Sequence, residues 1–159
     1  MRQTVYIETT IPSYYHATTR RGLEADAART RAWWDAERSG YECYISPVVL
    51  DELSEGNYPT KTLCLETVAG LPVLAVNEDI IQIAAAYYAS KVMPGPPVRD
   101  ALHVALACFY RMDFLLTWNC THIANGNKMR HLQTINARLG LATPIIITPH
   151  MLHRLEDFP

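Results

Sequence analysis

Four polar residues are placed to do chemistry: Glu8, Glu52, Asp100 and Asn119. Glu8 closes the short β-branched and aromatic run Thr4-Val-Tyr-Ile7, and Asn119 lies two residues beyond Phe114-Leu-Leu-Thr117. Glu52 sits in a helix entered directly from a strand. Asp100 opens the run Ala101-Leu-His-Val-Ala-Leu-Ala107, so an ionised group heads an otherwise apolar stretch. A charge there needs a partner, and a metal cation is one. Converging carboxylates repel each other unless a cation is bound between them. Hard ions such as Mg²⁺ or Mn²⁺ take one or two carboxylates together with waters and substrate phosphates. The corresponding chemistry is metal-activated attack of water on a phosphodiester.

Each of these residues also has an ordinary structural use. Asp100 favours a helix N-terminus through the dipole. Glu52 resembles the solvated helix charges Glu55 and Glu66, Glu8 suits a strand end facing water, and Asn after a strand is a common turn residue. Their joint placement is what separates the two readings.

The elements that must position them follow from periodicity. Thr4–Ile7, Tyr41–Ile45, Leu71–Val76, Phe114–Thr117 and Ile145–Ile147 read as strands, the last fully buried. Leu23, Ala27, Thr30 and Trp34 recur at helical spacing, giving a helix over 23–38 ended by Ser39-Gly40. Ser46-Pro47 supplies an N-cap and a first-turn proline for a helix running to Gly56. Further helices cover 60–69, 77–91, 98–111 and 128–139, the last stopped by Gly140, with Pro94-Gly-Pro-Pro97 as a rigid connector. Thr9-Thr10-Ile11-Pro12 reads as the close of the first strand. Strands alternating with helices predict one α/β domain over 1–159, a three-layer α/β/α sandwich with a mostly parallel sheet. Ligands of such folds gather at the carboxyl ends of the strands, where Glu8 and Asn119 fall.

The segments Val5-Tyr-Ile-Glu8-Thr-Thr, Ile45-Ser-Pro-Val-Val-Leu-Asp-Glu52-Leu-Ser-Glu-Gly56, Asp100-Ala-Leu-His-Val-Ala-Leu-Ala107 and Leu115-Leu-Thr-Trp-Asn119 resemble the four motifs of PIN-domain proteins, the VapC-type toxin nucleases above all. The resemblance runs over nearly the whole chain, in order. It implies a metal-dependent endoribonuclease, the toxin of a type II toxin–antitoxin pair. By that likeness Mg²⁺ or Mn²⁺ is held by Glu8, Glu52 and Asp100, with Asn119 as a neutral fourth contact. Glu8 stands where the family usually has Asp and adds a methylene; Asn119 keeps a carbonyl oxygen where the family most often has a charge. These departures from the family pattern point to a single, weaker metal site and low activity. The resemblance also implies an RNA substrate, an antitoxin partner and a homodimer. The alternative is a PIN-like module that binds RNA or a protein without cutting it.

Other residues carry weaker signals. Thr9, Thr10 and Thr117 offer hydroxyls beside the acids, and His103 lies one turn after Asp100 on the same helical face. Asp51 points roughly 100° from Glu52 on a helix. Cys120, His122 and His131 match no common zinc spacing. Trp34 belongs to the core stripe; Trp33 is rotated off it, where a dimer or partner surface is the alternative, and core or rim packing is expected of both. Arg20, Arg21, Arg29, Arg31, Lys128, Arg130 and Arg138 offer cations for an RNA backbone.

Composition sets the outer bounds. The chain has 159 residues, 49% apolar and 19% charged, with net charge −2, so it is a folded body without a polybasic character. Residues 41–90 carry seven acids against one base, and 91–159 seven bases against four acids. No apolar run approaches the roughly 20 residues of a membrane span. The start lacks the long apolar run of a secretory signal. Cys43, Cys64, Cys108 and Cys120 are scattered, as reduced thiols are. A cytoplasmic protein is expected.

Overall fold

A computed structural model describes residues 1–154; the last five residues of the domain expected over 1–159 lie outside it. Four strands form one wholly parallel sheet: β1 (Thr4–Ile7), β2 (Glu42–Tyr44), β3 (Phe114–Leu116) and β4 (Ile145–Ile147), in the order β2-β1-β3-β4. Val5 faces Cys43 on one side of β1 and Phe114 on the other, and Leu115 faces Ile146. The central strands β1 and β3 are apolar throughout their middles because both faces are covered. The chain leaves β1 toward β2 and later returns past β1 to β3. Right-handed crossovers in opposite directions put the two groups of helices on opposite faces of the sheet. This is the expected three-layer sandwich.

The helices are α1 (Thr10–Tyr15), α2 (Glu24–Ala32), α3 (Pro47–Ser54), α4 (Lys61–Val68), α5 (Glu78–Ala89), α6 (Arg99–Phe109) and α7 (Gly126–Leu139). Asn77 caps α5 by accepting from the Ile80 N–H at 2.9 Å. Gly140 ends α7 at φ +72°, the left-handed position that suits glycine. Helix α6 buries seven of its residues, Ala101 and the run His103–Cys108, which accounts for its apolar sequence. A buried polar cluster ties α6 to its neighbours. The Tyr87 hydroxyl donates to Asn136 Oδ1, whose Nδ2 donates to Thr143 Oγ1 at 2.8 Å and to Cys108 Sγ at 3.4 Å. Arg29 pairs with Glu37 at 2.6 Å and donates to the carbonyls of Pro149 (2.7 Å) and Leu152 (2.9 Å), fastening the last described segment to α2. No helix among the described residues is long and apolar enough to cross a membrane.

Four local expectations are corrected, and one is met by an unexpected route. Residues 71–76 form no strand; Val73 makes a single bridge to Ile45, since Pro72 has no N–H to extend a ladder. Ile145 in β4 is 58% exposed, because β4 is an edge strand; Ile147 is buried and Ile146 packs partly against the core. A helix, α1, replaces the expected turn at Thr10: Pro12 falls in the first turn, where its missing N–H is no loss. The core packing expected of both tryptophans is met, with Trp33 fully buried beside Trp34, because α2 continues into a π turn (Trp33–Glu37) that breaks the 3.6 period and turns both rings inward. Ser46 precedes α3 without a side-chain capping bond, because its hydroxyl is committed to Tyr6.

Candidate active site

The turns after β1 and β3 lie side by side at the point where the chain reverses direction across the sheet. Trp118 N–H donates to Thr10 Oγ1 at 2.8 Å and Glu8 N–H to the Leu116 carbonyl at 3.1 Å, locking the two turns together. Helix α3 brings Glu52 to this edge and the first turn of α6 brings Asp100. All four residues expected from the sequence, Glu8, Glu52, Asp100 and Asn119, gather here.

Hydrogen bonds join Glu8, Asn119 and Asp100 into one network, and Glu52 belongs to a second. Glu8 is 3% exposed and folds back so that both carboxylate oxygens accept from the Thr10 N–H (2.9 and 3.1 Å), with Oε2 also accepting from the Thr117 hydroxyl at 3.2 Å. The Thr117 oxygen in turn accepts from the Asn119 N–H at 2.9 Å. Asn119 turns its Nδ2 toward Asp100 Oδ1 (3.3 Å) and its Oδ1 to the His122 N–H (3.0 Å). Asn119 thus presents a donor to Asp100 and keeps its carbonyl oxygen for the loop.

Glu52 is held from two sides. Thr9 Oγ1 donates to its Oε1 at 2.9 Å, and His103 Nε2 makes a short contact with the same oxygen. His103 is 1% exposed. Its Nδ1 lies 2.7 Å from the Tyr6 hydroxyl, which lies 2.7 Å from Ser46 Oγ. With Nε2–H donating to Glu52, Nδ1 accepts from Tyr6 and the Ser46 hydroxyl donates to Tyr6, so every atom is satisfied. Tyr6 and Ser46 escaped the sequence reading. The signal for Tyr6 was present: it precedes Glu8 by one strand period and so shares its face. Nothing comparable marked Ser46.

Electrostatics divides the two glutamates. Burial raises the Glu8 pKa, and nearby Glu52 adds to that, against the opposing pull of His103 and the Thr10 N–H. Partial burial pushes Glu52 up as well, but the hydrogen bond from His103, the Thr9 hydroxyl and the charge of Arg99 outweigh it, and its pKa is lowered. Burial holds the Tyr6 hydroxyl well above the usual phenol range, so Tyr6 acts as a neutral link.

Whether these residues suit a divalent cation is decided by which oxygens are uncommitted. Among the described residues no group of three His, Cys, Asp or Glu side chains converges on one ion position. Glu8 is spent on protein donors. Glu52 Oε2 and Asp100 Oδ2 have no hydrogen-bond partner among the described residues. One or two carboxylates are as many as Mg²⁺ or Mn²⁺ commonly takes from a protein, the rest of its shell being water.

No family model and no curated protein matches the chain. Solved structures do match it. A chain in the crystal structure of VapBC2 from Rickettsia felis, bound to a DNA fragment from the promoter, superposes with a TM-score of 0.53 at 12% identity, covering 92% of this chain and 98% of that one. A chain of FitAcB from Neisseria gonorrhoeae gives a TM-score of 0.56 at 16% identity, covering 93% and 99%. At such identities the likeness is one of fold, the PIN-like α/β/α sandwich.

Proposed function

We propose that this protein is a metal-dependent endoribonuclease of the PIN type, the toxin of a toxin–antitoxin pair. The observation that carries the proposal is the meeting of Glu8, Glu52 and Asp100, from three separate elements, at the carboxyl edge of a parallel sheet, where α/β folds place their ligands. The shared fold with a VapBC2 chain supports the toxin–antitoxin context.

Glu52 and Asp100 would hold Mg²⁺ or Mn²⁺ through their free oxygens. The ion, when bound, supplies an activated water and neutralises charge on the phosphodiester. The remaining work belongs to the protein. Thr9 and His103 fix the rotamer of Glu52, Asn119 steadies Asp100, and Glu8 ties the β1 and β3 turns through Thr10 and Thr117. In this reading Asn119 acts through Asp100 rather than as a ligand. An antitoxin and a second copy of the chain complete the proposal as its partners.

Asp100→Asn tests it. The variant keeps an oxygen and the Asn119 contact but loses the charge, so cleavage of single-stranded RNA in Mn²⁺ should fall at least about a hundredfold with the melting curve unchanged. Cleavage at the wild-type rate, or cleavage that survives a chelator, refutes the mechanism.

A second reading has its own support: Glu8 and Asn119 are satisfied by protein donors, as in a module that binds RNA or a protein without cutting. Calorimetry with Mn²⁺ alongside the cleavage assay separates them, since binding of metal without chelator-sensitive cleavage favours the module.

A further inference from the structure

Beside the carboxyl edge lies a second cleft, of about 360 Å³, between the end of α5, the 94–97 loop and the start of α7. Tyr88, Lys91, Met93, His122 and Lys128 line it together with Pro94 and Gly95, and none of these is acidic. The chain has 16 acids and 14 bases, yet among the described residues neither Lys91 nor Lys128 has an ion-pair partner. Two unpaired ammonium groups on one cleft make an anion site.

His122 links the cleft to the candidate active site. The His122 N–H that bonds Asn119 Oδ1 belongs to the turn that also steadies Asp100. The Tyr88 ring is 45% exposed and braced from behind. A Cβ on Gly95 would lie 3.0 Å from Tyr88 Cδ2 and 2.8 Å from Val98 Cγ1, so only glycine lets the loop close on the ring. Lys91 sits at φ +60°, a left-handed position that favours glycine, directly after α5. A lysine where glycine fits better, a braced aromatic and a second lysine are the parts of a single-strand platform: cations for the backbone and a ring for a base.

Two members of the basic set expected from the sequence are committed within the protein. Arg29 is consumed by Glu37 and by the carbonyls of Pro149 and Leu152, and Arg31 donates to the Tyr15 carbonyl at 3.4 Å. Lys128 of that set lines this cleft, joined by Lys91, which stood outside the set.

We infer that this cleft is a subsite for single-stranded nucleic acid next to the cleavage position, with Lys91 and Lys128 on phosphates and Tyr88 stacked on a base. The inference rests on the nuclease reading for its place beside the acids, but not for binding itself.

Fluorescence anisotropy of a labelled single-stranded RNA 12-mer, in EDTA and over a range of KCl, tests it on the full chain. The double variant Lys91→Ala, Lys128→Ala should bind about tenfold more weakly or worse. Its slope of log K against log salt should flatten by about 1.4, two contacts at about 0.7 each. Tyr88→Leu, which keeps bulk against Gly95, should lose about fivefold or more, and Tyr88→Phe should bind like wild type. No binding by wild type, or an unchanged slope and affinity in the double variant, overturns the subsite. So does competition by polyglutamate as strong as by unlabelled RNA, which would make the cleft an acidic-protein surface. Variants weakened as described, in a protein that never cleaves RNA with Mn²⁺, sink the nuclease reading and leave the subsite standing.

Discussion

His103 reaches Glu52 with one ring nitrogen and Tyr6 with the other, so a residue of α6 sets the orientation of an acid on α3. The link is buried on the histidine side and half-open on the glutamate side, with side-chain exposures of 1% and 23%. Two variants separate its structural and positioning roles. Tyr6→Phe leaves Ser46 and His103 each short of a buried partner and should cost about 1–3 kcal/mol in urea unfolding. His103→Ala should cost at least as much and also free Glu52, lowering Mn²⁺ affinity by calorimetry, whereas Tyr6→Phe should change that affinity less. Equal Mn²⁺ affinity in wild type and His103→Ala would show that the histidine serves packing alone.

Glu8 and Glu52 should pull stability in opposite directions with pH. The folded pKa of Glu8 is raised, so the native state holds a proton that the unfolded chain releases above its ordinary value of 4.5. Stability from that group is full below 4.5 and is lost as pH rises through the raised pKa. Glu8→Gln should therefore melt a few degrees above wild type at pH 7, with the gap closing in acid. Glu52, with a lowered pKa, contributes stability above 4.5 that is lost as pH falls through the folded value. Glu52→Gln should melt below wild type at pH 7 and converge on it in acid. Melting curves between pH 4 and 8 check both, and gaps that do not vary with pH would contradict both assignments.

Asn136 is the hub of the cluster between α5, α6 and α7, and its oxygen takes the Tyr87 hydroxyl. Asn136→Ala strands that buried hydroxyl and should cost about 1–3 kcal/mol, several degrees in melting temperature for a chain of this size. Adding Tyr87→Phe removes the stranded group, so the double variant should lose clearly less than the sum of the two single losses. Strict additivity in the unfolding free energies would contradict a shared bond.

The architecture was legible where one force dominates. Thr4–Ile7, Phe114–Thr117 and the helix after Asp100 are apolar because they are buried on every side, and they form where periodicity places them. Prolines misled: Pro12 suggested a turn and sits inside α1, while Pro72 left its strand as one bridge. The π turn at Trp33 lay beyond any 3.6-residue pattern. At the site, the meeting of four residues followed from topology, but their atoms did not. That Glu8 folds onto Thr10, or that Asn119 gives its oxygen to His122, depends on partners supplied by the adjoining turn and loop. A sequence shows which side chains arrive; the neighbours decide which of their oxygens stay free.

Arg29 holds Glu37, Pro149 and Leu152 at once, with only 16% of its side chain exposed. The passage after β4 is thereby part of the cooperative unit rather than an appendage. A shortened version ending before Pro149 would leave a half-sheltered guanidinium with one partner and two lost acceptors. A chain cut before Pro149 should therefore melt below one that runs through Leu152, and any cleavable tag belongs beyond that residue.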